Sequence, residues 1–101
     1  YVDLSGQPLG WTGYTFNRTL FPKPSEFLAW CHEHGLRTTV NLHPAGGIQP
    51  FEEMFDEMRE AMGMPSGDRV YVPFNIVDQK FVRNWFDIVL RKLEKYVLLL
   101  W

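Results

Sequence analysis

The sequence predicts an α/β fold in which helices alternate with parallel strands, and three observations predict it. Apolar residues recur at helical spacing in three separate stretches. A β-branched run, Leu36 to Leu42, follows one of those stretches after a single glycine. The last residues, "VLLLW" at 97–101, are short, continuously apolar and placed after a helix, the pattern of a strand buried on both faces. Alternation of this kind fits a (β/α) barrel or a doubly wound sheet.

Residues 1–24 are rich in Gly, Pro, Thr and aromatics and carry no helical period, which reads as a loop with a short extended stretch. "KPSEFLAWCHEHG" then has Pro and Ser at a helix start, Glu26 where the helix dipole favours an anion, and Gly35 as a stop. Phe27, Trp30, Cys31 and His34 form its expected apolar stripe. In the strand that follows, Leu36, Thr38, Val40 and Leu42 face one side and Arg37, Thr39 and Asn41 the other. A second helix is expected from Phe51 to Met62, with Phe51, Met54, Phe55 and Met58 inward, acids outward and Gly63 at its end. A loop with a short extended piece at Val70 to Val72 leads to Asp78, a good N-cap. The third helix, Gln79 to Tyr96, buries Phe81, Val82, Trp85, Phe86, Ile88, Val89 and Leu93, leaving Arg83, Arg91, Lys92 and Lys95 on the remaining surface. A buried parallel strand requires neighbours on both sides, so residues 1–101 read as a segment of a larger sheet or barrel, truncated at both ends.

Composition narrows the function classes. With 46% hydrophobic residues the chain can form a core, and its net charge of −2 comes from mixed charges without a basic run, which argues against nucleic acid as a partner. No apolar run approaches the ~20 residues of a membrane span. Cys31 is the only cysteine, which excludes an internal disulfide and a multi-cysteine zinc site. No cofactor motif is present: "AGG" and "SGD" lack the spacing of a phosphate loop, and "HEHG" lacks that of a zinc protease. His32 and His34 point different ways on a helix and read as structural, Cys31 as a packed thiol, and Glu53 and Glu57 as part of a solvated face. Asn17 heads "NRT", the N-glycosylation pattern, a triplet that also arises by chance.

Four further pieces stand in order over about forty residues: "YTFN", "FPKP", the helix ending "HEHG", and "NLHPAGG". Together they resemble the catalytic barrel of glycoside hydrolase family 31, the α-glucosidases, α-xylosidases, α-galactosidases and related transglycosidases, and "VPFNIVDQKFVRNWFDIV" continues the likeness more weakly. The resemblance implies a partial (β/α)8 barrel and a retaining α-glycosidase acting on α-linked sugars through two Asp residues. Both the nucleophile and the acid/base are then expected C-terminal to Trp101, so the segment supplies no catalytic residue, metal ligand or cofactor site. Its partners are an α-glycoside substrate and the remainder of the barrel.

What this segment contributes to the sugar site is expected at Asn41, His43, Trp11 and Tyr14. Asn41 either points inward toward the sugar or hydrogen-bonds a neighbouring strand; His43, held extended by Pro44, orients other groups or touches substrate. Trp11 and Tyr14 either stack on sugar rings or fill the loop. Two other classes remain open: a stand-alone carbohydrate-binding module using Trp11, Tyr14 and Trp101, and a structural or interaction α/β domain.

Overall fold

The computed structural model describes residues 13–67 and 70–96. Helix α1 (Pro24–Glu33) opens on a proline at its first position, where the missing N–H is no loss, and carries Glu26 in its first turn. It ends in a Schellman motif: the Leu36 N–H reaches the Cys31 carbonyl at 2.9 Å and the Gly35 N–H reaches His32 at 3.0 Å, with Gly35 at φ 73°. Helix α2 (Phe55–Ala61) closes in the same way, with Met64 to Arg59 at 3.1 Å, Gly63 to Glu60 at 2.9 Å, and Gly63 at φ 71°. Helix α3 (Gln79–Asn84) starts on Asp78, whose carboxylate accepts from the Lys80 N–H at 2.9 Å. It runs directly into a π-helical stretch (Trp85–Leu90), a further α-helical turn, α4 (Arg91–Leu93), and a 3-10 turn (Glu94–Tyr96).

The core lies between α2 and this long composite helix. Met54, Phe55 and Met58 meet Phe81 and Val89, and Tyr14, Ile48 and Val72 close the cluster from the loops. Phe74 bridges Phe81 and Trp85 by edge-to-face contacts at 5.1 and 5.7 Å. Asn84 ties the two helices by donating to the Ala61 carbonyl at 3.2 Å, and Lys92 reaches Glu57 at 2.9 Å.

The α/β barrel segment expected from the sequence is not what forms. Among the described residues there is no sheet; the β pairing present is one isolated antiparallel bridge between Ile48 and Val72, with its two hydrogen bonds at 2.8 and 2.9 Å. Leu36 to Leu42, read as a strand, has no ladder, and Leu36, Val40 and Leu42 are all exposed, Leu36 by 53%. The other expected strand, Val97–Trp101, lies outside the described residues. The physical reason is that alternation reports a capacity to pair, whereas a ladder requires a second edge to receive it. The described chain offers no such edge to Leu36–Leu42.

Two helical faces are also rotated from expectation. On α1 the buried set is Pro24, Leu28 and Cys31, at i, i+4 and i+7, so that only Cys31 of the expected stripe is inward. Trp30 is 52% exposed and stacks on His34 at 4.0 Å, and Phe27 packs on Phe21 at 4.6 Å. On the long helix Phe86 turns outward although Trp85 and Val89 stay in. The i→i+5 bonding of the π stretch changes the angular step between residues, so a stripe read at 3.6 residues per turn loses its register there.

Gly47 sits beside the bridge at φ 59°, and a Cβ on it would lie 2.3 Å from the Val72 carbonyl oxygen. Gly35 has a similar φ but nothing within 4 Å of its missing Cβ. Gly35→Ala is therefore expected to cost only the left-handed backbone penalty, about 1–2 kcal/mol. Gly47→Ala adds a clash with backbone that cannot rotate away, and its melting temperature should fall clearly further in parallel thermal unfolding. Equal losses at the two glycines would show that the close approach at Val72 is not a constraint.

Candidate functional site

Two loops meet at the expected sugar-site residues. Gly13, at φ 104°, lies so close to the end of the Leu36–Leu42 segment that a Cβ there would come within 2.3 Å of the Asn41 carbonyl oxygen. Gly13, just before "YTFN", and Asn41, the first residue of "NLHP", are thus in contact although they stand 28 positions apart. Asn41 is exposed beside this contact. His43 is half-buried with φ −118° and ψ 81°, outside the helical region as its following proline requires, and its carbonyl accepts from the Gly46 N–H at 3.1 Å to start the 3-10 turn Pro44–Gly46.

Tyr14 goes elsewhere. Only 4% of it is exposed; its ring belongs to the core and its hydroxyl accepts from the Trp85 indole N–H at 3.3 Å. Trp11 lies outside the described residues. The structure therefore brings the loop entering Tyr14 to Asn41 but turns the Tyr14 ring away from solvent. His32 and His34 are exposed on the last turn of α1, where the Nδ1 of His34 bonds the Trp30 carbonyl at 2.7 Å, and Cys31 is buried with a free thiol.

A second cluster is formed by residues that periodicity placed on a solvated face. Three carboxylates leading into and along α2 each engage a different element. Glu52, 4% exposed, accepts a short hydrogen bond from the Thr15 hydroxyl, which in turn accepts from the Glu53 N–H at 3.1 Å. Glu53 takes both Nε and a terminal nitrogen of Arg18 on one oxygen, at 3.1 and 3.0 Å. Glu57 takes Lys92. Glu52 lies in the turns before α2, and helical spacing, which placed the acids outward, gave no signal of its burial.

A cavity of about 40 Å3 opens beside this cluster, bordered by Thr15, Arg18, Glu53, Lys92 and Tyr96. That volume holds about two or three waters. Each carboxylate already has a hydroxyl or cationic partner, and the cluster acts as a clamp between the 13–18 loop, α2 and the end of the long helix. Retaining glycoside hydrolysis instead needs two carboxyls facing each other about 5 Å apart across an open site. No protein-family model matches the chain, and no curated protein matches it.

The environment of Tyr14 makes a pH prediction. Burial raises its pKa above the ordinary value for a phenol; the Trp85 hydrogen bond opposes this and the nearby Glu52 carboxylate adds to it. Between the unfolded value near 10 and the raised folded value, the unfolded chain has lost this proton and the folded chain has kept it. Stability from this group is therefore full below pH 10 and falls as pH rises through the folded value. Tyr14→Phe should be slightly less stable than wild type at pH 7, having lost the Trp85 bond, and should lose less stability above pH 10. Parallel wild-type and variant denaturation curves across that range would refute the burial argument.

Proposed function

We propose that this chain is a non-catalytic part of a retaining α-glycosidase, where it braces and borders the sugar site while other residues of the parent protein supply the acid pair. The reading rests on the ordered set "YTFN", "FPKP", "HEHG" and "NLHPAGG". One feature of the geometry supports it: the close approach to Asn41, the first residue of the last motif, of Gly13, the residue just before the first motif. Asn41 and His43 are then the residues of this segment nearest to substrate. The acids in the clamp hold the loop that carries Tyr14 and Thr15, a positioning role in which displacement of about 1 Å at a reacting centre costs on the order of 100-fold in rate.

A second reading, that of an interaction domain, is favoured by a specific observation. Ile76 and Val77 are 74% and 86% exposed, and Leu36, Val40 and Leu42 add further apolar surface. Surface of that kind is covered by other protein in an assembly.

The two separate on assay. The 101-residue chain alone should not turn over aryl α-glucoside, α-xyloside or α-galactoside. The complete coding sequence that contains it should turn over at least one of the three. In that parent, Asn41→Ala or His43→Ala should lower kcat/KM by about tenfold or more, the effect of losing roughly 1.4 kcal/mol of transition-state stabilisation. A parent inactive on all three, or one indifferent to both substitutions, would overturn the glycosidase reading.

A further inference from the structure

The "NRT" triplet has a place in the structure that neither the clamp nor the sugar-site residues use. Asn17 heads a surface turn: its carbonyl accepts from the Phe21 N–H at 2.7 Å, and its side-chain Oδ1 accepts from the backbone N–H groups of Thr19 and Leu20 at 3.0 and 3.2 Å. Arg18, Thr19 and Leu20 are exposed along the turn. The middle residue is held aside, since the Arg18 guanidinium is drawn onto Glu53.

We propose that Asn17 is an N-glycan acceptor. The pattern requires asparagine, any residue but proline, and a hydroxyl residue, and it is used on surface loops. Arg18 and Thr19 meet the sequence part, and the position of half-buried Asn17 at the head of a turn whose next three residues are exposed meets the structural part. With Oδ1 held by two backbone donors, Nδ2 is the other branch of the same planar amide, and among the described residues it takes no hydrogen bond. In the transfer, Nδ2 attacks C1 of an oligosaccharide carried on a lipid pyrophosphate. The N–C1 bond forms and the bond from C1 to the pyrophosphate oxygen breaks. The pyrophosphate leaves with the electron pair, and the Nδ2 proton passes to a basic group of the transferring enzyme. The attached glycan would stand over Leu20, a large apolar side chain that is 66% exposed in the same turn, and shield it from association.

The test uses the protein purified from the cells that make it, as wild type and with substitutions at Thr19. Enzymatic deglycosylation in 18O-labelled water, followed by peptide mass spectrometry, should find the asparagine at position 17 converted to a labelled aspartate, together with a gain in gel mobility. Thr19→Ser should keep the modification. Thr19→Ala should abolish it while leaving the melting temperature unchanged, because the two bonds to Oδ1 come from backbone N–H groups that alanine retains. An unlabelled, unshifted wild-type Asn17 peptide would overturn the proposal, as would labelling that persists in Thr19→Ala. This readout is independent of any turnover by the parent, so it can fail while the glycosidase reading stands.

Discussion

The Ile48–Val72 bridge is the constraint on which the rest of the structure depends. Both residues are almost completely buried, and the bridge closes the stretch that contains α2. Its two backbone bonds satisfy groups that burial would otherwise leave without water, which is the reason such a short pairing persists inside a core. With that stretch closed, Met54, Phe55 and Met58 are held against Phe81 and Val89. Gly47 is required because the Val72 backbone passes where a side chain would begin.

The carboxylate clamp is a consequence of that packing. Once α2 is seated, the residues leading into it face the 13–18 loop, and Glu52 and Glu53 draw in Thr15 and Arg18 while Glu57 draws in Lys92. The exposed ion pairs of this set contribute little individually, on the order of 0–1 kcal/mol. The buried Thr15–Glu52 bond has a different weight, because it gives one oxygen of a carboxylate removed from water a donor in place of the solvent it has lost. The clamp thus couples the loop carrying the "YTFN" motif to the helices, and through Gly13 to Asn41.

The exposed surfaces are uneven. Aromatic contacts on α1, Phe21 with Phe27 and Trp30 with His34, lie outside the core cluster, as do the apolar side chains of the Leu36–Leu42 segment. A protein interior forms where apolar faces from different elements converge, and these residues lie outside that convergence. Their exposure fits a chain that works against other protein, and it is the part of the structure that both functional readings share.

Sequence by itself determined the helices and where they stop. Pro24, Asp78, Gly35 and Gly63 each act through their own backbone chemistry within one turn, so their effect is visible without neighbours. Of the expected inward set Phe51, Met54, Phe55 and Met58, the last three were legible in the helical period, whereas the expected helix start at Phe51 was not met: α2 begins at Phe55 and Phe51 is half-buried in the turns before it. Tertiary structure alone decided that Leu36 to Leu42 joins no sheet among the described residues, because a ladder needs an edge supplied from elsewhere in the chain. It likewise decided that Tyr14 is a core residue bonded to Trp85, that the π stretch turns Phe86 outward, and that Glu52 is buried beside Thr15. Each of those depends on a partner between 37 and 71 residues away or on a change of helical register, and neither is encoded in local spacing.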